Sequence, residues 1–181
     1  MPGDKFISSR ELFGPAQSRA IKDVLQSLFI GELISPSARL WMFFGWVSDI
    51  EIIDNRMRQF SYLQPDWVAS KIKLSEVLGA ILQKGSSVVL IVRDVDHNHQ
   101  FANVLRQLYK DYILSNKLVI HLTPEEHRKG ILGEDYLLGG SMNLTFNGIT
   151  TNEENLVLRR DPAAIEEWRV TLEQKWCGIL C

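Results

Sequence analysis

Apolar positions along this chain recur with two different periods, and the switches between them divide it into elements. Within residues 15–30, Ile21, Val24, Leu25, Leu28 and Phe29 fall at three- and four-residue spacing behind Pro15, which predicts a helix. Ser35-Pro36-Ser37 ends it. Leu40 to Val47 (LWMFFGWV) is apolar without interruption, and its short length and aromatic content predict a buried strand. Ile50 to Asp54 opens a loop or a short helix, and Asn55 to Trp67 shows no usable period. Lys71 to Gln83 returns to helical spacing, with Ile72, Leu74, Val77, Leu78, Ile81 and Leu82 on the apolar side. Gly85 stops it, and Ser87 to Arg93 (SVVLIVR) is the clearest strand in the chain. A third helix over Asn98–Leu114 and a third strand over Leu118–Leu122 follow.

This order predicts an α/β layer sandwich with a central mixed, mostly parallel sheet flanked by helices. The rhythm then changes. Lys129–Leu132 and Tyr136–Gly140 flank Gly133-Glu134-Asp135 and predict a hairpin. Leu144–Gly148 is a short connection, Asn155–Arg159 a strand, and Pro162–Trp176 a closing helix with proline near its first turn. No internal repeat is visible, so residues 1–181 are expected to form one domain.

Composition narrows the class. The 45% hydrophobic and 23% charged content is that of an ordinary globular protein, large enough for a real core. No apolar run reaches 18 residues; Leu25–Leu33 is interrupted by Gly31 and Glu32. The N-terminus lacks a cationic start followed by an apolar block, so the expectation is a cytoplasmic protein without a membrane partner. Cys177 and Cys181 could clip the last turn, but free thiols in a reducing cytoplasm are the more economical reading. With a net charge of −2, any attraction for nucleic acid has to come from a local patch.

The chemistry concentrates between His127 and Asn155 (HRKGILGEDYLLGGSMNLTFNGITTNEEN). One imidazole without ordered ligand spacing is wrong for a metal cage, whereas a proton carrier or nucleophile among several donors suits a phosphodiester. His127 and Lys129 are two residues apart and so share one face of an extended chain. An imidazole partly unprotonated at neutral pH attacks phosphorus to give a phosphohistidine. Lys129, Asn143 and Ser141, in a turn permitted by Gly140, supply donors for a five-coordinate phosphorane. No metal or other cofactor is expected.

His127-x-Lys129, then Glu134-Asp135, then Gly140-Ser141-x-Asn143 resembles the H-x-K…D…G-S-x-N signature of the phospholipase D-like superfamily, and Asn152-Glu153-Glu154-Asn155 resembles its N-x-E-N segment. The resemblance implies the phospholipase D-like fold with one motif per chain, His127 as nucleophile and Glu154 as the acid that fixes its tautomer. The acidic slot, separated from the lysine by four residues, is usually aspartate; here Glu134 and Asp135 both compete for it, and Asp135 keeps the family's side-chain length. The spacing from there to Gly-Ser is also shorter than in the commonest form. Displacement at phosphorus needs an acid for the leaving oxygen as well. The resemblance therefore implies a homodimer in which two motifs face each other across a two-fold axis, the second His127 acting as general acid.

Bland readings are expected elsewhere. Asp94–His99 (DVDHNH) looks like a metal run but reads as a polar strand-to-helix loop in which Asn98 or a neighbour caps the next helix. Arg159-Arg160 reads as a solvated strand end, and Trp41, Phe43 and Phe44 as core. Trp67 and Tyr62 are weaker candidates for base stacking. The expected function is a metal-independent, homodimeric nuclease acting on DNA or RNA. The wording of the motif is similar to members found in bacterial DNA-modification and restriction clusters, which implies defence-system partner proteins. Phospholipid cleavage and a non-catalytic phosphate-binding subunit are the alternatives.

Overall fold

The computed structural model describes residues 9–13, 18–150 and 154–180. Seven strands form one sheet in the order β1 (Ser9–Phe13), β9 (Asn155–Arg159), β8 (Leu137–Gly140), β7 (Gly130–Leu132), β2 (Arg39–Phe44), β5 (Ser87–Arg93) and β6 (Leu118–Thr123). The pairs β2–β5 and β5–β6 are parallel, and the other four are antiparallel. Strands β1, β2, β5, β6 and β8 therefore run one way, and β7 and β9 the other. The sheet is mixed, with most strands sharing one direction.

Both faces are covered, which is why β2 and β5 read as unbroken apolar runs. Leu40, Met42 and Phe44 of β2 pack into a core with α1 (Ser18–Ile34), α2 (Leu74–Gln83) and α3 (Asp96–Leu108). Trp41 and Phe43 point to the other face, where Ile165, Leu172 and Trp176 of α6 (Pro162–Leu180) close a second core. The period-2 alternation of one strand thus feeds two hydrophobic layers.

Several elements depart from their sequence expectations. Ile50–Asp54 is neither loop nor helix: Glu51–Asp54 is β3, paired antiparallel with β4 (Lys71–Lys73) in a separate two-stranded sheet. The helix expected from Lys71 begins only at Leu74, because β4 takes its first three residues. The helix expected over Asn98–Leu114 divides at Tyr109 into α3 and α4 (Lys110–Leu114). Tyr109 turns its ring against Gly79, and its hydroxyl donates to the Ser75 carbonyl at 2.9 Å. Leu144–Gly148 overlaps a short helix, α5 (Phe146–Thr150). Asn55 orders the stretch that showed no period: its Oδ1 accepts from Phe60 N–H at 2.9 Å and its Nδ2 donates to Val68 O at 3.0 Å.

Candidate functional site

The polar signature gathers at the edge of the sheet where β2 and β8 end and where β7 and β9 begin. His127 and Lys129 lie in the extended lead-in to β7, whose Gly130 pairs with Phe43 of β2. Side chains alternate there as expected. His127 is exposed, whereas Glu126 and Arg128 turn to the other side and bind each other. Arg128 Nε and Nη2 donate to the Glu126 carboxylate at 3.0 and 2.9 Å, and the Arg128 N–H adds a third bond at 3.0 Å. Burial alone would raise the Glu126 pKa, but Arg128's hydrogen bonds and charge outweigh it and hold the carboxyl below its ordinary value. The guanidinium also lies 5.5 Å over the Phe43 ring. This two-residue brace fixes the backbone on either side of His127.

Lys129 folds back so that its ammonium donates to the His127 carbonyl at 2.6 Å. Asn143 comes to the same place from the loop after β8, its Oδ1 accepting from Trp46 N–H at 2.9 Å. Gly45, at the end of β2, lies between them: a Cβ there would sit 3.3 Å from Asn143 Oδ1 and 3.7 Å from Lys129 Nζ. The Asn143 oxygen is thus committed to backbone, which leaves its NH2 group to donate to an anion.

A second pair closes the same end of the sheet. Ser141 Oγ donates to Glu154 Oε2 at 2.5 Å and accepts from Asn155 N–H at 3.0 Å, and Ser141 N–H donates to Asn155 O at 3.0 Å. Gly140 permits this join. Its φ is +145°, and any Cβ would collide with the Asn155 carbonyl. Asn152 and Glu153 lie outside the described residues. The His127 side chain is exposed and takes no hydrogen bond among the described residues.

Glu134 and Asp135 are not brought to this cluster. The β7–β8 hairpin carries them to the opposite end of the sheet, beside the start of β2, because β7 runs antiparallel to it. There Glu134 N–H donates to Ser37 Oγ at 2.7 Å, and Glu134 Oε2 accepts from Ala38 N–H at 3.3 Å. Asp135 pairs with Arg160 at 2.9 Å on the surface. Both acids pin the hairpin tip rather than touch the His127 end, and Arg160 finds its partner in Asp135.

The sequence alone points to no site role for Gly45 and Trp46, and offers Asn98 or a neighbour as a helix cap. Asn98 is instead a fully buried strut: its Oδ1 accepts from Val47 N–H at 2.9 Å, and its Nδ2 donates to Gly45 O and Arg93 O at 2.9 and 2.8 Å. It ties the ends of β2 and β5 together beneath the cluster. The only sequence signal for this was the position of an Asn soon after a strand. Of the remaining DVDHNH residues, His97 Nε2 meets Ser48 Oγ at 2.8 Å and His99 Nε2 meets Asp94 at 2.8 Å. Among the described residues no three His, Cys, Asp or Glu side chains are grouped so as to hold a metal. Trp67 is buried, and Tyr62 is exposed on the loop after β3.

Comparison with solved structures places this fold. NucT from Helicobacter pylori superposes with a TM-score of 0.57 at 14% identity, over 94% of this chain and 96% of that one. Nuc from Salmonella typhimurium, a phospholipase D family member, gives 0.58 at 17% identity over 93% of each chain. Phosphatidylserine synthase from Haemophilus influenzae gives 0.53 at 19% identity over 92% of this chain and 38% of its own. Comparison by sequence with curated proteins gives no match. The family model described as cardiolipin synthase, PLD-like domain, matches residues 51–176. With more than half of its length matched, from β3 to the end of the α6 core and across all of His127–Asn155, the chain belongs to the phospholipase D-like family.

Proposed function

We propose that this protein is a metal-independent phosphodiesterase that cleaves nucleic acid, with His127 as its nucleophile. The observation that carries the reading is the meeting of the Lys129 ammonium and the Asn143 amide at Gly45, with the exposed His127 two residues before Lys129 on the same strand lead-in and its carbonyl bonded by that ammonium. The imidazole forms a P–N bond as the P–O bond to the leaving group breaks, and water later reverses the exchange by attacking phosphorus and releasing the imidazole. Lys129 and Asn143 stabilise the charge that builds on the non-bridging oxygens. Ser141 and Glu154 hold the loop that carries Asn143; the family resemblance gives Glu154 the further role of orienting His127, a contact that would have to form when substrate or a second chain is bound. Glu134 and Asp135 support this only through the hairpin.

The leaving oxygen still needs a proton. Among the described residues His121 lies on β6, and His97 and His99 on α3 bond to Ser48 and Asp94, so none of them stands to His127 as a second copy of the motif would. A homodimer with its two His127 facing each other supplies the acid, and the water's proton returns to that same group. Service in a DNA-modification or restriction system, with other proteins recognising the target, fits a chain whose net charge is −2.

The family description and the phosphatidylserine synthase likeness favour a second reading, phospholipid cleavage. No helix among the described residues is long and apolar enough to cross a membrane, and a lipid substrate would have to be met at a surface. The test is hydrolysis of bis(p-nitrophenyl) phosphate, of oligonucleotides and of anionic phospholipid vesicles in EDTA. Cleavage of the first two, lost by at least a thousandfold in His127→Asn, is the expected result. Full activity in His127→Asn would reject the mechanism, and preference for vesicles would reject the substrate class.

A further inference from the structure

Beside the cluster, the loop after β2 and the loop after β8 enclose a cavity of about 470 Å³. Its wall includes Asn143, the residue that meets Lys129 at Gly45, so the cavity adjoins the cluster through that side chain. Trp46 and Phe146 are its large rings, 42% and 68% exposed. Single exposed aromatics are common on protein surfaces, whereas two that line one concavity rimmed by polar groups mark a binding groove. Trp46 is held in place. His97 packs against it with ring centroids 5.3 Å apart, and His97 is itself fixed by Ser48 Oγ at 2.8 Å.

We infer that this cavity is a nucleobase subsite, in which the base next to the cleaved phosphodiester stacks on Trp46. The inference rests on the phosphodiesterase reading above and names what lies beside its phosphate. The volume falls in the ~300–1,000 Å³ range of small-molecule sites. Its lining mixes rings with hydrogen-bonding residues, namely Asn143, Asn147, Thr145 and His97, which suits a flat heterocycle with a polar edge. An acyl chain would leave those groups unsatisfied. Stacking tolerates every base, so the site favours single strands, whose bases are already out of the duplex. The backbone arranges the coupling: Trp46 offers its N–H to Asn143 and its ring to the base. One residue therefore sets the spacing between phosphate and base.

The experiment measures anisotropy of two labelled hexanucleotides, one of thymidines and one of abasic residues, in EDTA and in the His127→Asn background. The base-bearing strand should bind about tenfold tighter. Trp46→Ala should bring the two affinities within about twofold, while Trp46→Phe keeps most of the preference. The alanine variant retains the backbone N–H that Asn143 accepts, and a thermal melt checks its fold. Phe146→Ala, on the exposed rim, provides a second arm and should also reduce the preference. Equal binding of the two strands, no binding of either, or a preference undiminished in Trp46→Ala would each overturn the subsite. Dissociation of a dimer by Trp46→Ala, with the base preference unchanged, would assign the ring to a second copy instead. A Trp46-dependent base preference in a protein that cleaves nothing would keep the subsite and reject the enzymatic reading.

Discussion

Glu126 and Arg128 show how much a site can depend on residues facing away from it. Glu126 is 1% exposed, yet it is charged, because Arg128 meets it with two side-chain bonds and one from the backbone. Removing the arginine would strand a buried carboxylate, which costs about 3–5 kcal/mol. The acid's folded pKa lies below its ordinary 4.5. Its contribution to stability is therefore full above about pH 4.5 and is lost as the pH falls through the lower folded value. Denaturation of the wild type and of Glu126→Gln should accordingly differ most at neutral pH and converge in acid. Arg128→Ala should unfold earlier at neutral pH and also lower turnover, since His127 sits between the two braced residues. The sequence showed the His-x-Lys spacing and the alternation that puts both on one side. It did not show that Arg128 and Glu126 form the brace, because Glu126 precedes the motif and the pairing depends on how the backbone turns.

At the scale of elements, strands β2 and β5 were legible because each carries apolar side chains on both faces, and β5 was read to its exact ends. Strands β3 and β4 were not. A ribbon of four and three residues has too few positions to express a period, and its pairing is decided by chain approach. The break between α3 and α4 was equally hidden, since apolar spacing runs on through Tyr109 while the ring's packing on Gly79 turns the chain. The join of β2 to α3 matters most for function. Asn98 satisfies Val47 N–H, Gly45 O and Arg93 O from a fully buried position. Asn98→Ala should cost about 3 kcal/mol by leaving buried groups unpaired, or roughly 6–12 °C in Tm for a domain of this size. Asn98→Asp should be no better, since it keeps the acceptor but sets a carboxylate against two carbonyl oxygens. Calorimetry reads the first effect. A larger loss of kcat than of binding would show that Gly45 and Trp46 have shifted against Lys129 and Asn143.

For the whole molecule, the decisive prediction concerns assembly. If one His127 attacks and its counterpart protonates the leaving group, the protein should sediment at twice its chain mass. Its pH–rate profile should be bell-shaped, as two coupled imidazoles require. Adding an equal amount of His127→Asn chain to a fixed amount of wild type should, after subunit exchange, reduce activity by about half, because mixed dimers lack one of the two roles. Activity unaffected by the mutant chain would show that each subunit works alone.

The amino-acid order by itself determined the layered α/β plan and the identity of the polar set from His127 to Asn155. Both are local properties: a strand or helix period is written in a few residues, and a motif is a matter of spacing. Only the tertiary structure decided which of those polar residues meet. Antiparallel pairing of β7 sends Glu134 and Asp135 to one end of the sheet and leaves His127 and Lys129 at the other. The same folding brings Gly45, Trp46 and Asn98, far off in sequence, to the end of the sheet that holds Lys129 and Asn143. Distance along the chain and distance in space part company wherever a strand reverses, and in this protein the site is assembled at such a reversal.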